Sequence, residues 1–171
     1  MATVSILSTQ ITNRDASPRV RSNSRISRGP LVCSMGMVAA TAADGPGSKY
    51  KLCSIPSNAR VAQVLLSNVS LGGSLSTANF GLYKTTADGG AVVDEDFFGS
   101  TVALTSAQSN VDITTEANGS AVGLAKANLE KPIWEALGLS ADPRIDYDVV
   151  ATVVDQVISA GAVAVQVTYQ L

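Results

Sequence analysis

The chain has 171 residues, enough for one full-sized domain and too few for two comfortable ones. Hydrophobic residues make up 46% and charged residues only 15%, against about 25% in an ordinary soluble domain, so much of the surface is expected to meet another protein. There is no histidine, which removes the usual general base, the Ser/His and Cys/His nucleophile pairs and most zinc sites, and the formal charge of −2 hides a marked asymmetry along the chain.

Residues 1–30 are rich in Ser, Thr, Asn and Arg, hold no aromatic residue and show no sustained period, so they read as an extended arm that orders on a partner. The arm carries Arg14, Arg19, Arg21, Arg25 and Arg28 against Asp15 alone, net +4, while the other 141 residues hold seven Lys or Arg and thirteen Asp or Glu, net −6. A basic arm on an acidic body is expected to lie on carboxylates of another chain or of a neighbouring copy, and these five arginines are the candidate protein-contact residues. They would also suit phosphates, but the arm offers no ring to stack on bases and the body is acidic, so no nucleic acid is expected as a partner. Residues 31–48 are small and breaker-rich, ending in Asp44-Gly-Pro-Gly-Ser48, and read as a hinge. The expected division is therefore 1–48 for arm and hinge and 49–171 for a packed domain.

Within that domain residues 50–55 read as a strand stopped by Pro56, and the β-branched run over 60–71 as a second strand closed by Gly72-Gly73. Residues 79–85 alternate and turn through Ala87-Asp-Gly-Gly90 into 91–93, the best hairpin in the middle of the chain. Short strands are expected at 100–105 and 111–114, then one helix over 127–137 with Pro132 in its first turn and Gly138 closing it. Residues 146–154 and 162–171 complete the pattern as two long neighbouring strands; the last nine residues alternate as a half-buried strand does. Short strands, frequent turns and no βα alternation give an all-β antiparallel sandwich with one short helix, a jelly roll first, with an immunoglobulin-like sandwich left open by pattern alone.

The search for chemistry returns little. No G-x-S-x-G elbow and no GxGxxG or GxxxxGK[ST] loop is present, so the chain is expected not to be an enzyme and to bind no cofactor. Asp94-Glu95-Asp96 offers oxygens to a hard cation but lacks the spacing of an ion loop, and reads as a solvated loop or an acidic patch for a neighbour's arginines; no metal is expected. Cys33 and Cys53 read as small buried hydrophobes rather than a disulfide or ligands. Trp134 is expected to plug the core beneath the helix, and most other aromatic residues fall on apolar strand faces. Asn68 and Asn118 match the glycosylation pattern but read as chance matches, because neither a signal-like start nor a long apolar span suggests passage into or across a membrane.

The phrases Ile55-Pro-Ser-Asn-Ala-Arg-Val61, Ala78-Asn-Phe-Gly-Leu-Tyr83, Gly89-Gly-Ala-Val-Val-Asp-Glu-Asp-Phe-Phe98, Ile133-Trp-Glu-Ala-Leu-Gly-Leu139 and Tyr147-Asp-Val-Val-Ala-Thr152, with the closing strand, make residues 50–171 resemble the jelly-roll decoration or cement proteins of tailed-bacteriophage capsids. That resemblance implies a homodimer or homotrimer, made in the host cytoplasm, that sits on the outer surface of the virion capsid, bridges adjacent major capsid protein subunits and resists the pressure of packaged DNA. It implies no catalytic residue and does not cover the arm. A tail-fibre or glycan-binding sandwich and a minor head–tail joining protein are the alternatives; the first would show exposed rings.

Overall fold

The computed structural model describes residues 6–21, 29–73, 76–115 and 124–171. Eight strands follow a short helix α1 (Thr9–Asp15): β1 (Val32–Ala40), β2 (Lys49–Pro56), β3 (Arg60–Asn68), β4 (Thr77–Lys84), β5 (Val92–Ala103), β6 (Gln108–Asp112), β7 (Asp146–Val153) and β8 (Gly161–Gln170). A second helix, α2 (Ile133–Ala136), precedes β7. The strands form two four-stranded antiparallel sheets in the orders β1-β8-β3-β6 and β2-β7-β4-β5. The chain crosses between sheets at nearly every connection, and this order is the eight-stranded jelly roll of two interleaved Greek keys.

The core follows from the two-residue period of the strands. Val163, Val165, Val167 and Tyr169 of β8 point inward with Val61, Val64 and Leu66 of β3, and meet Phe80 and Leu82 of β4 and Tyr147, Val149, Ala151 and Val153 of β7. Ala151 apart, each such side chain stabilises the fold by about 1.5–3 kcal/mol when fully buried. The expected β4–β5 hairpin forms, with Thr85 capping the turn Thr86–Asp88 and Gly89 and Gly90 at φ 92° and 64°. β5 is longer than expected and runs unbroken from residue 92 through 103, so the acidic residues 94–96 lie within a strand and not on a loop. Its register against β4 shifts repeatedly: Leu82 faces Asp94 while Phe80 faces Gly99, which leaves extra β5 residues folded over β4. A Cβ on Gly81 would lie 2.1 Å from the Asp94 carbonyl oxygen, so only glycine admits this crossing. The bulge also turns both Phe97 and Phe98 inward, as an edge-to-face pair 5.0 Å apart.

Four expectations change. Residues 32–40, read as part of a hinge, are strand β1, held by nine consecutive pairs to β8 from Val32↔Tyr169 to Ala40↔Gly161. Only Ala40 of this strand is buried, so ladder hydrogen bonds and a neighbour, rather than large apolar side chains, keep it in place. The neighbour is β2, the matching edge of the other sheet: Ser34 Oγ donates to the Ser54 carbonyl at 2.9 Å, and a Cβ on Gly36 would collide with the backbone of Leu52. Second, β7 and β8 are not partners; each is flanked on both sides within a different sheet. Third, the helix expected over 127–137 is split into a 3₁₀ turn, Lys126–Asn128, and α2, because Pro132 stands extended as the N-cap and disfavours a helical residue before it. Gly138 does take the left-handed conformation after it. Ile133 is the buried plug of this segment, while Trp134 is half-buried.

Fourth, part of the arm is not extended. Ser8 accepts from the Ile11 amide and starts α1, none of whose residues is buried. Residues 1–5 and 22–28, which include Arg25 and Arg28, lie outside the described residues.

These contacts set a stability scale. Phe80→Ala should cost about 3–5 kcal/mol in denaturant unfolding and Gly36→Ala about 1–3 kcal/mol, whereas Met35→Ala on the exposed side of β1 should stay within about 0.5 kcal/mol.

Candidate protein-contact surface

The two sheets turn different faces to solvent. Outward from β2-β7-β4-β5, Lys51 pairs with Asp148 at 3.1 Å and donates to Thr86 Oγ1 at 2.9 Å, and the Lys49 ammonium stands 4.9 Å from the Tyr83 ring centroid. Beneath these cations Tyr83 and Thr152 share a 2.8 Å hydrogen bond and are buried, and burial raises the Tyr83 phenol above its ordinary range. This face is covered by its own charged side chains.

The outer face of β1-β8-β3-β6 lacks that cover. Opposite the inward valines, β8 presents Ala162, Ala164, Gln166 and Thr168; register places Met37 beside Ala164 and Met35 beside Gln166 on β1, with Ser67 and Leu65 on β3. Met35 and Met37 are 70% and 67% exposed. The small side chains of β8 make the floor, and the longer ones of β1 and β3 the walls, of an open trough of about 280 Å³ that Asn110 of β6 closes at one end. No Lys or Arg stands among the residues lining it. Asp112, on β6, is the charge at its border; the Thr114 hydroxyl, at hydrogen-bond distance, holds its carboxyl below the usual range, with the Thr114 amide and Gln63 Nε2 also donating to it. A trough without a charged side chain in its lining and with two exposed methionines on its wall is suited to adapt to an apolar partner.

The arm leaves the domain on this same side. Gln170, outward-facing at the end of β8, donates to the Gly29 carbonyl at 3.2 Å and pins the arm's root to the face that holds the trough. Arg14 is paired with Asp15 at 2.7 Å, both exposed, while Arg19 and Arg21 are exposed and make no ion pair with a described residue. The structure thus brings three of the five candidate contact residues onto one exposed segment but does not gather them against the body. Sequence reasoning missed the trough, because its walls come from strands far apart in the chain; the signal available was the alternation Cys33-Ser-Met-Gly-Met37, with methionine at every second place.

Other candidates take their places. Asp94 is buried and its carboxylate accepts from the Asp96 amide, while Glu95 accepts from Asn79 Nδ2. Among the described residues no group of three or more His, Cys, Asp or Glu side chains is placed to hold a metal ion. Tyr50, Phe80, Tyr83, Phe97, Phe98, Tyr147 and Tyr169 are all buried, so they form no exposed ring platform. Asn68 is buried too, its Nδ2 donating to the carbonyls of Val69 and Ser106, which closes it to a glycan; Asn118 lies outside the described residues. No described helix is long and apolar enough to cross a membrane.

The eight-stranded jelly roll is the class that fold and surface define. No protein-family model matches the chain, and no curated protein matches it. Among solved structures the chain is similar to the cyanophage Pam1 capsid asymmetric unit, with 17% identity and a TM-score of 0.49 over 84% of this chain and 86% of that one.

The cysteines also depart from expectation. Cys33 is exposed on the trough side and Cys53 half-buried between the sheets, both as free thiols. Burial pushes the Cys53 thiol up to about 11, against the partial help of the Ser34 hydroxyl. At pH 8 this leaves Cys53 with a far smaller thiolate fraction than an ordinary cysteine. Iodoacetamide should therefore label Cys33 at least about tenfold faster than Cys53, read by peptide mass spectrometry of the native protein, with the gap closing in denaturant.

Proposed function

We propose that this protein is a virion structural protein of the decoration type: a homo-oligomeric jelly-roll block that binds the outer surface of an assembled capsid and cements adjacent major capsid subunits, its N-terminal arm ordering on a neighbouring subunit. The observation that carries this reading is the pairing of a rigid, weakly charged block with an exposed arm whose arginines Arg19 and Arg21 make no ion pair with a described residue of their own body. Many small contacts spread over a lattice give strong attachment without one dominant site, since each engaged contact raises the effective concentration of the next. The charge asymmetry favours an acidic landing surface for the arm. The sandwich supplies stiffness, because its side chains interlock across both sheets. The resemblance of residues 50–171 to cement proteins points the same way.

Deletion of residues 1–28, which stops short of the Gly29 contact with Gln170, should leave the melting temperature of the body within about 2 °C while lowering occupancy on purified capsids at least tenfold. Occupancy by the deleted chain equal to that of the full chain removes the arm from the mechanism. Binding of the full chain should weaken as salt rises, as expected of exposed arginines on carboxylates.

A further inference from the structure

The turn that carries the chain from β5 to β6 is held by side chains. Gln108 Nε2 donates to the Ala103 carbonyl at 3.2 Å, Asn68 Nδ2 to those of Leu104 and Ser106 at 3.4 and 3.0 Å, and Ser70 Oγ to that of Thr105 at 2.7 Å. Every carbonyl from 103 to 106 thus takes a side-chain proton. Those contacts also fix which way each amide lies, since turning either one over would set its oxygen against a carbonyl oxygen. The mismatch falls on the acceptor side: Asn68 Oδ1 and Gln108 Oε1 are both buried, and neither receives a hydrogen bond from a described residue.

Asn68 and Gln108 are direct partners at the end of the antiparallel β3–β6 pairing, so their side chains leave the same side of the sheet with Cβ atoms about 4.5–5.5 Å apart. Asn68 is 6% exposed, and a polar atom at that depth calls for a partner. We propose that the end of the β3–β6 pair binds one water molecule, which donates one hydrogen to Asn68 Oδ1 and the other to Gln108 Oε1. The match is one of hydrogen count. The neighbouring side-chain donors are aimed at the turn, so the site wants hydrogens, and water brings two. A hard cation would instead gather about six oxygens, whereas the carbonyls of residues 103–106 already face donors. The bound water completes the clamp on the turn that joins the two sheets. It also steadies β6, whose Asn110 closes one end of the trough.

The test uses the full chain labelled with ¹⁵N, with the side-chain amides of Asn68 and Gln108 assigned. Cross-relaxation with water, measured in the rotating frame where chemical exchange has the opposite sign, should show a bound molecule at both amides. Oxygen-17 relaxation dispersion should count one long-lived water fewer in Gln108→Met than in wild type. Bulk-like cross-relaxation at either amide, or an equal count in the two proteins, overturns the proposal. So does a shift of either amide signal when sodium is replaced by potassium or calcium, which would assign the site to a cation. If Gln108→Met does not fold, the cross-relaxation of the wild-type chain decides by itself.

Discussion

The alternation along β8 is the constraint on which the rest depends. One strand, flanked on both sides by ladder partners, sends Val163, Val165, Val167 and Tyr169 into the core and Ala162, Ala164, Gln166 and Thr168 to the outside. The inward set anchors the sandwich, and the outward set, being small and uncharged, makes the floor of the trough. A slip of one residue would exchange the two sets, burying Gln166 and Thr168 and exposing the valines, so the register that stabilises the core also shapes the surface. Core and contact face are two readouts of one pairing.

The close approach of the two sheet edges is the second constraint. β1 has little apolar weight of its own and depends on β8 on one side and on the β2 backbone on the other, where Gly36 lets Leu52 come near. The charged side chains divide accordingly. Lys49, Lys51 and Asp148 cover the outer face of one sheet, whereas the trough of the other is lined by no charged side chain.

Much of this fold was legible in the residues. β-branched runs marked β3 and β7, the glycine pair after Asp88 marked the β4–β5 turn, and the closing alternation marked β8. What pattern could not supply was non-local. β1 is built from Cys, Ser, Met, Gly and Ala, which carry weak strand preference, and its strand state comes from a partner more than a hundred residues away. β7 and β8 follow one another in the chain but pair elsewhere, because the chain changes sheets between them. Phe97 and Phe98 are both inward only because β5 bulges over Gly81, which no period of two foretells. The basic arm was visible from charge alone; the trough was not, since Met35, Ala164 and Leu65 become neighbours only when three strands align.

The pairing of Val32 with Tyr169 sets the beginning and the end of the sandwich side by side. Tension applied between the arm's root and the C-terminus would therefore pull across the β1–β8 ladder at its open end, loading one antiparallel pair after another as a zipper is loaded, whereas tension along the strands would strain all nine pairs together. The end-to-end direction is therefore the weak axis of the block, and the strand direction the strong one.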